Sequence, residues 1–233
     1  MVKHGIDHLF QVGDLDGARE RLLDLYFFDR LYEMVEYPQI LRYWRALGDE
    51  SAADQYQRAA LELLENDDFE FIKDPVYSAG NFCHQAYWLL AGIAIFRRLT
   101  EKSTALFGPD HPDTLSSLMN LASCLDDQGN YEEAEAFSRQ ALEGRQQVLG
   151  PDHPDTFDSL NNLANCLHDQ GNYEAAEAFY RQVLEGREQV LGPSHPNTFD
   201  SLYNLALFSH MSARITNKQS NSTNNWSMAM KAP

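Results

Sequence analysis

Lysine is absent from residues 108–191, a stretch that holds sixteen Asp and Glu against four Arg. The whole chain of 233 residues carries a formal net charge of −17. Phosphate backbones and anionic membrane surfaces are bound by clustered Lys and Arg, so neither is an expected partner. Cysteine is scarce as well: Cys83, Cys124 and Cys166 form no CxxC and no metal-ligand spacing. Buried free Cys behaves as a small hydrophobe, and that role is expected here rather than redox chemistry. The longest apolar run, Ala86–Phe96, is too short to span a bilayer. The opening MVKHGIDHLFQVGDLDG lacks the apolar core of a secretory signal. A reducing, cytoplasmic setting without membrane insertion is therefore expected. No GxxxxGK[ST] loop occurs, so no Walker-type phosphate cradle is available. No Ser-His-Asp or Cys-His arrangement stands out, and the expectation is a chain that is not an enzyme and takes no cofactor.

What is present is repetition. Residues 108–149 read GPDHPDTLSSLMNLASCLDDQGNYEEAEAFSRQALEGRQQVL. Residues 150–191 read GPDHPDTFDSLNNLANCLHDQGNYEAAEAFYRQVLEGREQVL, with 33 identities in 42 ungapped positions. A third copy opens at Gly192 with GPSHPNTFDSLYNLA. Self-similarity at this period signals supersecondary units that bury their apolar faces on their neighbours. Within a copy, Asp155 and Thr156 are placed as helix N-caps after Pro154. Leu160, Leu163, Ala164 and Leu167 then recur at helical spacing. Gly171-Asn172 marks a turn. Tyr173, Ala176, Phe179, Tyr180, Val183 and Leu184 form a second helical pattern, ended by Gly192-Pro193. Each copy is thus helix, tight turn, longer helix and Gly-Pro loop, with Ala164 and Ala176 small enough to let the pair approach closely.

The rest of the chain is also helical in pattern. Leu15–Leu25, Tyr26–Met34, Pro38–Leu47 and Ala52–Leu64 carry helix-period apolar positions, and Gly48–Ser51 looks like a stop followed by a cap. The expected division is an N-terminal helical segment, 1–66, an acidic linker at Glu65–Lys73 and a repeat array, 74–210. The array comprises a degenerate repeat at 74–107, the copies 108–149 and 150–191, and a capping helix at 198–210. The degenerate unit follows from a 42-residue shift that sets Gly80 under Ala122 and Arg97 under Arg139. Residues 211–233 are polar, Asn/Ser-rich and expected to be disordered.

Polar clusters have plain readings. His111, His153 and His195 recur beside Asp110, Asp152 and Ser194, but a metal needs three or four converging ligands. A loop that fixes the next helix start is expected instead, with no metal site. Gly13-Asp14-Leu15-Asp16-Gly17 lacks the later ligands of a calcium loop and is read as a turn and cap. Asp126-Asp127 and Glu132-Glu133 flank an exposed turn, without the apolar surroundings that tune a catalytic carboxylate, and are read as a solvated face. The sequons at Asn221 and Asn225 require a secretory route that nothing else supports.

Leu163-Ala164, Gly171-x-Tyr173 and Ala176, with Leu121-Ala122, Gly129-x-Tyr131 and Ala134, resemble the tetratricopeptide repeat signature. The period departs from that family's usual ~34 residues. The longer form, with "NLA", "QGNYEEAE" and "LGPDHPDT", is similar to the repeats of kinesin light chain and nephrocystin-3. The N-terminal "LLDL…LYE…ILRYWRALG" pattern resembles the helical segment that precedes the repeats in nephrocystin-3-like proteins. The resemblance implies an all-α, right-handed solenoid that binds a protein or peptide partner in a concave groove lined by first helices. It places Asn120, Asn162 and Asn204, at one repeat position, as grips on a peptide backbone, since an amide both donates and accepts. Met119, Asn161 and Tyr203, with Ser123 and Asn165, are then variable readers beside them. Equally open is that each Asn ties helix to helix. The acidic balance favours a basic or neutral segment. Kinesin light chain would imply cargo binding and nephrocystin-3 a ciliary scaffold. A further alternative is a regulatory or sensor arm of a nephrocystin-3-like signalling NTPase.

Overall fold

The computed structural model describes residues 2–48, 50–65 and 68–208. Among them are helices and connecting turns, with no strand. The helices are α1 (Val2–Val12), α2 (Leu15–Leu23), α3 (Leu25–Met34), α4 (Tyr37–Leu47), α5 (Ala52–Leu64), α6 (Phe69–Gln85), α7 (Leu89–Phe107), α8 (Pro112–Gln128), α9 (Tyr131–Leu149), α10 (Pro154–Asp169) and α11 (Tyr173–Leu191). A further helix, α12, occupies 196–208. The chain forms two compact units, Met1–Gly144 and Arg145–Pro233.

In the first unit, short polar residues set the N-terminal helix starts. Asp14 accepts the backbone N–H of Gly17 at 2.9 Å and caps α2. Asp24 ends α2 and caps α3 by accepting from Tyr26 and Phe27. Gly48 closes α4 in the left-handed region that a side chain would strain (φ 62°). The core of these helices is aromatic. Tyr56 of α5 is fully buried, with Phe28, Trp44, Phe82 and Trp88 around it at ring-centroid distances of 4.8, 5.5, 5.3 and 6.3 Å. Its hydroxyl accepts Trp44 Nε1–H at 3.2 Å, so the one polar atom of the ring is not left bare. Phe82 and Trp88 belong to α6 and the turn after it, so this cluster binds the helices before residue 66 to those after it.

One sequence expectation changes here. The acidic stretch Glu65–Lys73 is not a linker throughout: α6 starts at Phe69, and Phe69 and Ile72 are buried. The apolar side chains at helical spacing outweigh the flanking carboxylates. Residues 86–88, inside the apolar run, form the turn between α6 and α7.

The helix bounds repeat with the sequence. The helices α7, α9 and α11 are each 19 residues long, begin 42 residues apart, and are followed by glycines with φ of 93°, 91° and 90°. Each hairpin turn has the same pair of bonds. Asn130 N–H reaches Leu125 O and Gly129 N–H reaches Asp126 O, both at 2.8 Å. Asn172 and Gly171 do the same with Leu167 and His168. This closure needs a left-handed residue, and Gly129 and Gly171 have φ of 87° and 85°. In the α6–α7 turn the same bonds form from Trp88 and Tyr87, with Tyr87 held at φ 59°. A side chain there costs roughly 1–2 kcal/mol.

The paired helices meet at small residues. Ala134 lies on α9 in the first unit, and Ala164 and Ala176 on α10 and α11 in the second; all three are fully buried. Gly144 of α9 lies against Leu115 of α8, whose Cδ2 stands 2.5 Å from where a Cβ would be. Gly186 of α11 lies in the same way against the ring of Phe157 of α10. Cys83, Cys124 and Cys166 are buried free thiols.

Candidate functional site

The helix α8 belongs to the first unit; α10 and α12 belong to the second. The start of each is built by the GPxHPxT loop. His111, His153 and His195 each accept, through Nδ1, the backbone N–H two residues on, at 3.2 Å. Thr114, Thr156 and Thr198 donate their hydroxyls back to the carbonyls of Gly108, Gly150 and Gly192 at 2.9, 2.8 and 2.9 Å. The N-cap of α10 is therefore His153, not Asp155 or Thr156. Pro154 follows at the first helical position, where its missing N–H is no loss, and Asp155 adds negative charge in the first turn. Among the described residues no group of three or more His, Cys, Asp or Glu could hold a metal ion.

On α8, Asn120 is half-buried. Ser123 donates to Met119 O at 3.1 Å. Met119 is only 4% exposed and packs with Leu118, Ala141 and Phe137. It is a core residue and not a reader of any partner, a correction that follows from α9 lying over it. On α10, Asn161 and Asn162 are half-buried and Asn165 is exposed. On α12, Tyr203 is exposed and Asn204 half-buried. Three of these amides, Asn161, Asn165 and Asn204, have internal partners in the second unit. Asn204 Nδ2–H donates to Asn161 Oδ1 at 3.1 Å, from one first helix to the previous one. Asn165 Oδ1 accepts the Tyr180 hydroxyl at 2.6 Å. Among the described residues, neither Asn120 nor Asn162 has a side-chain hydrogen-bond partner.

The carboxylate pairs beside the first turn are not simply solvated. Asp127 of α8 meets His84 Nε2 of α6 at 2.7 Å, and Glu133 of α9 accepts Arg97 Nη2–H of α7 at 2.9 Å. Both join successive hairpins of the first unit. In the second unit His168 Nδ1 lies 2.7 Å from Asp169. Burial pushes the Cys124 thiol up to about 12, helped by the negative charge of Asp127, and pushes Cys83 up as well. Neither is a ready nucleophile, because the thiolate is the reactive form.

Sequence reasoning missed the arginines that join copies. Arg145 Nη1–H donates to Asp155 O at 2.9 Å and to Ser159 Oγ at 3.0 Å. Arg187 does the same 42 residues later, to Asn197 O at 3.1 Å and Ser201 Oγ at 2.9 Å, and also pairs with Asp158. Arg187 is buried, so its guanidinium needs these fixed partners. The signal was available: both arginines hold one repeat position in front of a TxDS or TFDS-type start.

Helical hairpins repeated at one register, closed by Gly turns and packed on Ala and Gly, define a helical-repeat protein. The tetratricopeptide repeat family profile matches residues 89–147, 119–189 and 155–210, together more than half of the chain. The chain belongs to the tetratricopeptide repeat family. It is 39% identical to human nephrocystin-3 over 137 residues, covering 56% of this chain and about a tenth of the length of nephrocystin-3. Among solved structures, a kinesin-light-chain-like protein of Podosopora anserina with nearly identical TPR-like repeats has a TM-score of 0.61 at 16% identity, covering 86% of this chain and 90% of that one. BtubC (BKLC) from P. vanneervenii has a TM-score of 0.60 at 15% identity, covering 100% and 93%. At such identities the likeness shows the fold: all-α and of the tetratricopeptide type. Repeats of this kind mediate protein–protein interaction and are a non-catalytic scaffold type. No helix among the described residues is long and apolar enough to cross a membrane.

Proposed function

We propose that this chain is a scaffold or adaptor that holds an extended peptide segment of a partner protein along its first helices, in the groove such repeats form. The observation that carries the reading is the pair Asn120 and Asn162. They share one repeat position, are partly exposed, and have their amide donors and acceptors uncommitted within the described chain. An amide with both functions free suits a peptide backbone, whose N–H and C=O groups it can grip without reading side chains. Ser123, Asn161, Asn165 and Tyr203 vary beside them and supply selectivity, and the bond from Asn204 to Asn161 makes Asn204 a weaker grip. Sixteen carboxylates against four arginines over 108–191 favour a basic or neutral segment.

The test is affinity capture of a partner by the full chain, followed by titration of the captured segment. Asn120→Ala with Asn162→Ala should weaken binding tenfold or more while the melting temperature holds. Loss of binding and melting together would make the asparagines structural, and unchanged binding would remove them from the site.

A second reading, a regulatory arm working with a nephrocystin-3-like signalling NTPase, is supported by the 39% identity to nephrocystin-3. It requires that a co-purifying nucleotide-binding chain change its nucleotide turnover when this protein is added. The adaptor reading has no such effect.

A further inference from the structure

We infer that the outer face of α12 is a docking site for an amphipathic helix of a partner protein, one that imitates the second helix of a repeat. The helix α12 is the third version of the first helix, and it opens with the same TFDSL as α10. In α10, Phe157 and Leu160 are 3% and 2% exposed, and the Phe157 ring fills the space a Cβ on Gly186 of α11 would need. Forty-two residues on, Phe199 and Leu202 are 56% and 50% exposed. Ala206, in register with the fully buried Ala164, is exposed beside them. Spaced three and four apart, these residues form one stripe on the helix.

The other side of α12 is firmly held. Thr198, Ser201 and Phe208 are buried; Phe208 packs on His168 and Tyr180 at 5.7 and 5.6 Å; Arg187 bonds Ser201, and Asn204 bonds Asn161. The exposed stripe thus sits on a seated helix and repeats, in its Phe and Leu, the surface that α11 recognises on α10.

The internal copy also states what fits. On α11 the inward residues are Ala176, Tyr180, Val183, Gly186 and Arg187, at steps of i, i+4, i+7, i+10 and i+11. On α9 the same steps carry Ala134, Ser138, Ala141 and Gly144, followed by Arg145. The glycine is the discriminating element, because only it lets a helix come so close to a Phe ring. The chain's own continuation does not carry this pattern: Lys218 stands in register with Ala176, Asn225 with Val183 and Met228 with Gly186. These positions lie outside the described residues, as do the disordered tail expected at 211–233, the two sequons and the end of the capping helix expected to reach residue 210.

The partner is therefore a helix from another protein with Ala near its start and Gly ten residues on, docked by apolar burial. The test uses a labelled synthetic peptide with the sequence Tyr173–Leu191 and the full chain, followed by fluorescence anisotropy. Saturable binding is expected, weakened tenfold or more by Phe199→Asp with Leu202→Asp in the chain, and equally by Gly186→Leu in the peptide. Both chain positions are exposed, so the melting curve should hold; if the double variant unfolds, the Gly186→Leu peptide on the unaltered chain decides. No binding at millimolar peptide would overturn the proposal. So would binding indifferent to both changes, which would mean exchange with α11 on α10. A chain that dimerises and becomes monomeric on Phe199→Asp would also overturn it, by making a second copy the occupant.

Discussion

The N-terminal helices and the repeat hairpins fill their helix–helix interfaces by opposite means. Around Tyr56 the gap is filled by large rings, Phe28, Trp44, Phe82 and Trp88, drawn from α3, α4, α6 and the turn before α7. Each contact there occurs once, among rings drawn from several helices. In the hairpins the gap is removed instead: Ala and Gly bring the helices together, and an apolar side chain of one helix lies in the notch of a glycine on the other. That seam joins helices adjacent in sequence and is reused every 42 residues. A packing rule contained within one hairpin can be copied by gene duplication; one that needs shape-matched rings from several helices cannot.

The sharpest way to break this contrast is Tyr56→Ala, which opens a cavity no neighbour can fill and should cost about 3–5 kcal/mol in urea unfolding. A smaller loss would mean that the rings repack and the core is not shape-matched. Next, Gly186→Val should cost about 1–3 kcal/mol by overpacking against the rigid Phe157 ring. Gly144→Val should cost less, because the Leu115 end it meets can rotate away. Equal losses would show that the seam does not sense the facing side chain. The alkaline limb tests burial in the seam itself. Cys124 is pushed up to about 12, above the ~8.5 of an unfolded thiol, so the native state keeps a proton that the unfolded chain releases. Its contribution is present below about pH 8.5 and is lost as pH rises toward 12, about 2 kcal/mol by pH 10. Comparing unfolding at pH 7.5 and pH 10 should show a flatter dependence for Cys124→Ala.

The smaller effects lie at the helix ends. His153→Ala removes the cap of α10 and should cost about 1 kcal/mol, largely restored by His153→Asn, which can accept the same N–H. Tyr87→Gly should do the reverse and stabilise by up to about 1 kcal/mol, since Tyr87 holds the left-handed turn that Gly129 and Gly171 occupy in the copies. A loss instead would show that the exposed Tyr87 ring contributes more than its backbone strain costs.

Much of the hairpin architecture is legible because its determinants are local. Gly171-Asn172 marks the turn, Gly192-Pro193 the helix end, and the Leu and Ala spacing the inward face. Legibility fails where a less favoured residue wins a local competition, or where the deciding atom comes from elsewhere in the chain. His153 outcompetes Asp155 as the cap because Pro154 and the Thr156–Gly150 bond set its ring nitrogen over the right N–H. Met119 resembles a surface reader in the alignment of copies, yet α9 covers it. Asp127 and Glu133 look solvated until α6 and α7 bring His84 and Arg97 to them.

The sequence by itself determined the period, the helix lengths and the left-handed turns, since these depend on backbone preferences within a few residues of one another. Only the tertiary structure decided how chemically equal positions are used. Asn162 stays uncommitted while Asn204 is bound to Asn161, and Phe157 is covered while Phe199 is open. The residues are the same. For the two Phe what differs is a covering helix; for Asn204 it is the amide of Asn161, whose place in the preceding copy Met119 takes, so burial and hydrogen-bond satisfaction belong to neighbours rather than to the residue itself.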